Sequence, residues 1–313
     1  MNKNAWAVVA KIFLSVAVLV FLFHNLEGAQ MGNMAARIDP VMAGYAVLPL
    51  FLIVMLQAER FRRAAQFQKD LSIWDALRIV WVGQFFSQVL PGAVGGDAFR
   101  AWYLSRFGIN LKQSVTVAFL DRAYGIVAVL LLLLLGLPWL LLVVGDLALS
   151  AIAGLVVVGG FAAIGIGISL ERLPARWFGH AYLASLLRFS IAIKRGLTTA
   201  RISLPCIGLS FVIQVLGALS LWLIGQSLQI GAVFAGLLVV SPLTNIAMML
   251  PISIAGWGVR EAVIVSCLNI MDVPASEALV LSVLSGLLNL VASFPGFLVW
   301  LLLKVRKPAL EAG

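Results

Sequence analysis

Charged side chains are scarce in this sequence: they make up 11% of its 313 residues, whereas 62% are hydrophobic and the mean hydropathy is +1.07. An ordinary soluble domain carries about 25% charged residues. So few charges exclude a soluble globular fold, because such a chain cannot cover its surface with polar groups. The composition therefore predicts an integral membrane protein.

Cysteine and histidine are almost absent, with two residues of each. Cys206 and Cys267 lie far apart in apolar segments and form no Cys-x-x-Cys pair, so neither a metal site nor a redox centre is indicated. His24 and His180 each stand alone. The phosphate-binding pattern Gly-x-x-x-x-Gly-Lys-Ser/Thr is also missing. We therefore expect no cofactor, no metal and no ATP hydrolysis by this chain.

Long apolar runs, in contrast, fill the chain, and each is long enough for a helix of about 20 residues to cross a bilayer. They cover residues 6–23, 41–58, 123–144, 151–170, 204–226 and 277–303. The first run has no signal-peptidase-like site after it, so we expect it to be retained. Continuous rather than alternating hydrophobicity favours helices over a closed barrel. The predicted fold is an all-α polytopic membrane bundle that forms one domain over 1–313.

The net charge of +9 follows the predicted membrane and does not indicate nucleic acid binding. If the chain starts inside, every Lys and Arg except Arg37 and Arg260 lies in an inward-facing segment. The loops on the other side are net acidic and carry Glu27, Asp39, Asp146, Asp272 and Glu277. This asymmetry predicts an N-in, C-in topology in the cell inner membrane.

Two regions, 79–96 and about 233–271, then begin and end on the same side of the membrane. We expect each to be a re-entrant hairpin or a pair of short broken helices. They align without gaps as LPGAVGGDAFR (90–100, the first motif) over LPISIAGWGVR (250–260, the second motif), and Leu, Pro, Gly and Arg coincide. So short a match can arise by chance, but both copies fall at the topological anomalies.

The two motifs enter from opposite sides, which is the arrangement of inverted repeats in transporters. We therefore predict six full spans plus two broken or re-entrant elements in an inverted pseudo-repeat, with halves at about 1–145 and 146–313. In such folds, paired Gly/Pro-interrupted segments mark the substrate site. Residues 171–203 are basic and amphipathic, and they predict a cytoplasmic helix that lies on the membrane surface or simply connects the halves.

Both motifs have the chemistry of an anion site. Glycine lets backbone N–H groups approach a ligand closely, and a helix that restarts after a break presents unpaired N–H groups. Arg100 and Arg260 can each add a fork of donors that suits phosphate, and Asp97 and Glu261 are their obvious partners. The predicted substrate-binding residues are Pro91, Gly95, Gly96, Asp97, Arg100, Asn245, Pro251, Gly256, Gly258, Arg260 and Glu261.

Several residues keep alternative interpretations. Arg100 has basic neighbours and can be an interface arginine that snorkels, whereas Arg260 has none and is the stronger candidate. Asp97 can cap a helix instead of carrying a proton. Trp257 can stack on a substrate or pack in the protein. The cluster DRAY at 121–124 can form a local ion pair that anchors the helix at the membrane interface, or it can bind the substrate.

Three stretches, LPGAVGGDAFRAWYLSR (90–106), DRAYG (121–125) and LPISIAGWGVREA (250–262), resemble the lysylphosphatidylglycerol synthase transmembrane-region family, which includes flippase-like, UPF0104-type proteins. The similarity extends over nearly the whole chain. It implies lipid translocation or a role beside it. The residues that match the family's motifs are Gly95, Gly96, Asp97 and Arg100 in the first, and Pro251, Gly256, Gly258, Arg260 and Glu261 in the second. Ala255 and Trp257 make the second motif bulkier than a glycine-rich version.

Full-length synthases of this family add a C-terminal soluble domain that transfers the lysyl group, whereas this chain ends soon after its last predicted span. We therefore expect no lysyl transfer here. The leading hypothesis is a membrane protein, not an enzyme, that binds and translocates an anionic lipid or a polyprenyl-phosphate-linked substrate. The alternatives are a lipid-modifying membrane enzyme or its membrane subunit, and a scaffold for enzymes of cell-envelope biosynthesis.

Overall fold

The computed structural model describes residues 38–89, 95–169, 181–249 and 256–305, and the regular structure within these ranges is helical. The prediction of an all-α bundle is therefore confirmed for the described residues. The predicted span at 6–23 lies outside them, as do Pro91 and Pro251 of the two motifs.

The helices are numbered here in chain order. They are α1 Pro40–Tyr45, α2 Val47–Ala65, α3 Ile73–Val89, α4 Gly95–Ser105, α5 Leu111–Trp139, α6 Leu147–Ser169, α7 Ala181–Thr198, α8 Ala200–Ser227, α9 Phe234–Met249, α10 Val259–Ile270 and α11 Ala275–Val305. A π-helical turn, Leu140–Val144, extends α5.

Five helical segments in the described part of the chain are long and apolar enough to cross a membrane. They are Pro40–Ala65, Leu111–Val144, Leu147–Ser169, Ala200–Ser227 and Ala275–Leu302, and they match the last five predicted spans. The second begins at Leu111 rather than 123, because the Asn110 side chain caps it and accepts from the backbone N–H of Lys112 at 3.0 Å. Charged residues in its first turns lower the local hydropathy, so a hydropathy pattern does not show where this helix starts.

Helices also stop and start at the two motifs. α3 ends just before the first motif and α4 begins inside it, at Gly95, while α9 ends just before the second motif and α10 begins inside it, at Val259. Gly256 and Gly258 precede α10 with φ values of +80° and +87°, a region that glycine adopts far more readily than other residues. The second motif therefore needs glycine for backbone conformation.

The contacts between helices are reciprocal. α3 packs against α4, and α9 packs against α10; α5, which follows the first pair, packs on α9, and α11, which follows the second pair, packs on α3. α2 and α8 also pack against each other. Val89 and Met249, which end α3 and α9, are separated in sequence by the same number of positions as Arg100 and Arg260. Two parts of the chain thus share one helix order.

Two apolar clusters form the core. One includes Phe61, Leu104 and Tyr124 and lies among α2, α3, α4, α5 and α8, whereas the other includes Leu133 and Leu237 and lies among α5, α6, α8, α9, α10 and α11. Helix α5 contributes to both clusters and joins them. Because lipid tails are as apolar as these side chains, close packing and polar contacts hold the helices together.

Helix α7 lies within the predicted connector at 171–203. The hydroxyl of Tyr124 in α5 donates to the carbonyl of Gly196 at 3.0 Å, and Ser190 donates to the carbonyl of Gly167 in α6 at 2.6 Å. Helix α7 therefore packs on the bundle through α5 and α6. Its location on a membrane surface stays a prediction.

Candidate functional site

A cavity of about 350 Å³ lies among helices from both halves of the sequence. Its charged lining residues are Arg60, Asp97, Arg100, Asp121, Arg122 and Arg260. Gly256 and Asn245 also line it, so the structure brings parts of both motifs to one space. A volume of this size falls at the lower end of the roughly 300–1,000 Å³ found for small-molecule sites.

Other predicted site residues lie beside the cavity rather than on its wall. Gly95, Gly96, Gly258 and Glu261 are not among its lining residues. A Cβ on Gly96 would clash with the Ser87 hydroxyl and the backbone of α3, so this glycine allows α4 to approach α3 closely. The structure gives Gly96 a role in helix packing.

An alternating row of charges forms the wall on the side of the first motif; we call Arg60, Asp121, Arg100, Asp97 and Arg122, in that order, the arginine–aspartate row. Arg60 donates to both Asp121 carboxylate oxygens, from Nε at 2.7 Å and from Nη2 at 3.0 Å. Its Nη1 donates to the Ser210 hydroxyl at 2.9 Å. At the other end, Arg122 Nε donates to Asp97 Oδ2 at 2.9 Å. Both end arginines thus have close carboxylate partners.

Arg100, in the middle of the row, is held loosely. Its Nη1 is 3.6 Å from Asp97 Oδ1 and 3.7 Å from Asp121 Oδ2, which is beyond hydrogen-bond distance. Its Nε has no hydrogen-bond partner although the side chain is only 9% exposed. A buried unsatisfied donor costs about 1–3 kcal/mol. Arg100 therefore carries donor capacity that the protein itself does not use.

The side chain of Arg100 lies against a glycine of α3. A Cβ at Gly83 would be 2.6 Å from both Cγ and Nε of Arg100, closer than any real contact. Arg60 has a similar neighbour, since a Cβ at Gly125 would be 3.3 Å from its Nη1. Glycines on neighbouring helices thus make room for two buried guanidinium groups. Neither glycine stands out in the sequence, because helix-packing glycines are frequent in membrane proteins.

The second motif, which adds Gly256 and Arg260 to the cavity lining, is stabilised by contacts within the motif itself. Arg260 donates to Glu261 Oε1 from Nε at 3.0 Å and from Nη2 at 2.6 Å, and its guanidinium carbon lies 4.3 Å from the ring centre of Trp257. Glu261 is fully buried, and its Oε2 accepts from the backbone N–H of Gly258 at 2.6 Å. Glu261 therefore caps α10 and neutralises Arg260, and Trp257 packs beneath that arginine.

Six uncharged amide side chains also line the cavity. They are Gln57, Gln84, Gln88, Gln214, Asn245 and Asn289. Asn245 Nδ2 donates to Gln214 Oε1 at 2.8 Å, which links α9 to α8, and Asn289 Nδ2 donates to the Ser285 carbonyl at 2.8 Å. The space therefore offers both donors and acceptors of hydrogen bonds to a polar ligand.

Sequence reasoning missed Arg60, which lies in a run of basic residues, and besides substrate binding it considered for Asp121 only a local ion pair. The structure shows that Asp121 reaches across to Arg60 on α2 and that Tyr124 contacts α7 instead of the cavity. One signal was available: Asp121 is an acid within a long apolar helix, and such an acid needs a partner from another helix.

Comparisons with known proteins identify the family of this chain. The chain matches the family described as "Lysylphosphatidylglycerol synthase TM region" over residues 8–296. It is also 22% identical over 312 residues to a "UPF0104 membrane protein" of Methanothermobacter thermautotrophicus, a match that covers 90% of this chain and 88% of that protein. With its five candidate spans, this chain is a multi-pass integral membrane protein that belongs to the lysylphosphatidylglycerol synthase transmembrane-region family.

Proposed function

We propose that the cavity binds the anionic headgroup of a lipid, and that the protein moves this headgroup between the two leaflets of the inner membrane. The observation that carries the proposal is Arg100, a buried arginine on the cavity wall whose Nε lacks a partner. A guanidinium in such a place binds phosphate well, because its planar fork of donors matches phosphate oxygens.

The charge of the cavity supports an anionic ligand. The arginine–aspartate row contains three arginines and two aspartates, so it carries one positive charge in excess. Arg260 also lines the cavity, but Glu261 beside it cancels its charge. One bound anion would balance the charges of these five side chains.

The two arginines have different roles in this proposal. Arg100 binds the headgroup, whereas Arg260 holds the second motif in place through Glu261 and Trp257. This reverses the sequence-based ranking, which favoured Arg260 because it has no basic neighbours. The sequence analysis named Glu261 as a partner of Arg260, but the ranking did not anticipate that Glu261 accepts from two nitrogens of this guanidinium.

Movement of the headgroup follows from the proposed symmetry. The reciprocal packing of α5 on α9 and of α11 on α3 supports an inverted repeat with halves at about 1–145 and 146–313. In an N-in, C-in topology, rocking of one half against the other would open the cavity to each leaflet in turn. The headgroup stays in the polar space while the acyl or prenyl tail stays in lipid.

A leaflet-exchange assay tests the proposal. The protein is reconstituted in liposomes that contain a fluorescent anionic phospholipid, and a membrane-impermeant quencher measures how fast the label changes leaflet. We expect Arg100→Ala to slow exchange about tenfold or more, because a hydrogen bond to a charged group contributes roughly 1.5–3 kcal/mol. Arg106→Ala is the matched control, since Arg106 is exposed just beyond α4 and contacts the Trp102 ring.

Exchange in Arg106→Ala should equal that of the parent protein. The proposal fails if Arg100→Ala and the parent exchange the lipid at the same rate. It also fails if the parent exchanges the lipid no faster than protein-free liposomes do. Thermal melting of both variants in detergent shows whether a slow variant is still folded.

A further inference from the structure

The contact between α2 and α8 occurs twice, at equivalent positions. We call two positions equivalent when they are separated in sequence by the same number of positions as the arginines of the two motifs. The Ser220 hydroxyl on α8 donates to the Ala46 carbonyl, just before α2, at 2.8 Å, and Cys206 Sγ on α8 approaches the Arg60 carbonyl on α2 at 3.9 Å. Ala46 is equivalent to Cys206, and Arg60 is equivalent to Ser220. The second contact is therefore the first one with the two helices exchanged.

A second repeated contact joins the helices around the motifs. On α5, a Cβ at Gly136 would be 2.6 Å from Cγ2 of Val239 on α9. At the equivalent position on α11, a Cβ at Gly296 would clash with the backbone carbonyl of Trp81 on α3. Glycine at both positions lets two helices cross in close contact. The crossing of α5 with α9 therefore corresponds to the crossing of α11 with α3.

One contact, in contrast, is strong in a single copy. Helix α5 packs extensively on α8, whereas the equivalent helices α11 and α2 meet at few positions. Leu120 and Tyr124 of α5 and Cys206 of α8 belong to one apolar cluster. An arrangement with full two-fold symmetry would make the two contacts alike. The structure is therefore asymmetric at this pair of contacts.

Helix α7 explains why α5 is held on α8. It packs on both of these helices. The Tyr124 hydroxyl of α5 donates to the Gly196 carbonyl of α7 at 3.0 Å, and the rings of Phe119 in α5 and Phe189 in α7 have centres 5.2 Å apart. The residue of α11 that is equivalent to Tyr124 is Leu284, which has no hydroxyl group. The hydrogen bond that fixes α5 thus has no counterpart at this position of α11.

The geometry points to a second state of the bundle, in which α11 packs on α2 as α5 here packs on α8, and in which α5 has left α8. Contacts that occur twice look the same after the halves are exchanged, so the α2–α8 contact and the two glycine crossings are kept in both states. The contact that occurs once must break and reform on the other side. Tyr124 stabilises the arrangement seen here, because the second state breaks its bond to Gly196.

The exchange of contacts changes the cavity. Gln57 of α2 and Asn289 of α11 line it, as do Val129 of α5 and Gly217 of α8. Packing of α11 on α2 narrows the cavity between the first two residues, and departure of α5 from α8 widens it between the other two. This inference rests on the proposed function and deepens it, because it names the contacts that exchange when the headgroup moves.

Distances between spin labels test the inference in the purified full-length protein in nanodiscs, with Cys206 and Cys267 replaced by alanine. One pair of labels, at Thr116 and Arg201, reports on the starts of α5 and α8. The other pair, at the equivalent positions Ser276 and Val41, reports on the starts of α11 and α1. Because the two states differ by an exchange of halves, we expect both pairs to give the same two distances. The short distance should dominate in the first pair and the long distance in the second.

Labels at Leu52 and Val212 are the matched control. These positions are exposed on α2 and α8 and are equivalent to each other. An exchange of halves therefore leaves the distance between them unchanged. We expect one distance for this pair in every variant.

Tyr124→Phe should shift the populations. It removes the hydrogen bond to Gly196, so the ratio of short to long distances in the first pair should fall about two- to tenfold, with the opposite change in the second pair. Tyr103→Phe on α4 is the control, because the Tyr103 ring packs among the rings of Phe99 and Phe107. It should keep the parent ratios.

The outcomes separate the inference from the proposed function. One fixed distance for each pair, in both the parent and Tyr124→Phe, would overturn the second state, and populations that ignore Tyr124→Phe would overturn the role of Tyr124. If the distances are fixed while lipid exchange still depends on Arg100, only the further inference is wrong. If both distances appear but the parent moves no lipid, the second state stands and the proposed function fails.

Discussion

Arg100 of the first motif and Arg260 of the second occupy aligned positions, and both are buried on the wall of one cavity. Their partners differ. Glu261 follows Arg260 directly in the sequence and accepts hydrogen bonds from its guanidinium group. Among the arginines that line the cavity, Glu261 pairs with Arg260 alone. Arg100 lies between two aspartates that are bound more closely by Arg60 and Arg122. We therefore call the second motif closed, because its arginine is paired within the motif, and the first motif open, because its arginine keeps a donor for a ligand.

The difference originates in neighbouring sequence positions. In the alignment, Asp97 lies over Trp257 and Ala101 lies over Glu261. The second motif thus has an acid that can reach both its own arginine and the start of its helix, whereas the acid of the first motif precedes its arginine by one turn and is drawn to Arg122. Two copies of one motif can therefore divide the tasks of binding and support.

The largest loss of stability is expected for a change that breaks the closed second motif. Arg260→Ala would leave Glu261 fully buried with its principal charge partner removed, and breaking a buried pair costs about 3–5 kcal/mol. We expect a large fall in the melting temperature in detergent. Arg260→Met combined with Glu261→Gln should recover most of the loss, because the neutral amide can still accept from Gly258. A single variant as stable as the parent would contradict a closed second motif.

Gly286→Ala tests the same motif through packing. A Cβ at Gly286 would clash with the guanidinium group of Arg260, and overpacking costs about 1–3 kcal/mol. Gly208→Ala in α8 is the control, because a Cβ there meets no atom within 4 Å. We expect thermal melting to show a loss of stability for the first variant and none for the second. Equal behaviour would mean that Gly286 does not make room for Arg260.

Arg60→Met tests the open first motif, because it removes the closest partner of Asp121. Asp121 would lose two hydrogen bonds, but Arg100 is 3.7 Å away and can move onto the carboxylate. We expect a moderate loss of about 1–2 kcal/mol, because a charge-assisted bond contributes roughly 1.5–3 kcal/mol and Arg100 replaces part of it. Lipid exchange should nevertheless fall as in Arg100→Ala, since Arg100 is then occupied. If Arg60→Met exchanges lipid at the rate of the parent protein, the headgroup binds at a place other than Arg100.

The smallest effect on stability is expected for Arg100→Met. This change removes a buried, loosely paired cation, and both aspartates keep their closer partners. The melting temperature should therefore stay within a degree or two of the parent, or rise, since about 1 kcal/mol shifts it by roughly 2–4 °C in a chain of 150–250 residues. A loss as large as that of Arg260→Ala would show that Arg100 is also structural.

The two motifs were accessible to sequence reasoning because glycine, proline and charge are conspicuous in an apolar chain. Their alignment predicted that Arg100 and Arg260 share a site, and both residues line the cavity. Arg60 was not predicted, because among basic neighbours it resembles an interface residue. Gln57 was not predicted either, since one amide in an apolar helix has no pattern. Whether these two side chains face the cavity depends on which side of α2 packs against α5 and α8. The spacing of apolar residues along α2 does not define that side.

The sequence by itself determined the membrane class, the helical fold and the places where helices stop, because hydropathy and the conformational preferences of glycine and proline act locally. The alignment of its two motifs also determined that Arg100 and Arg260 occupy equivalent positions. Only the tertiary structure decided that Arg100 has no close carboxylate, because Asp97 and Asp121 are bound by arginines of other helices. That depends on a difference of 1.0 Å in the distances between side chains on different helices: Asp121 lies 2.7 Å from Arg60 and 3.7 Å from Arg100. Packing therefore decides which arginine keeps unused donors for a ligand.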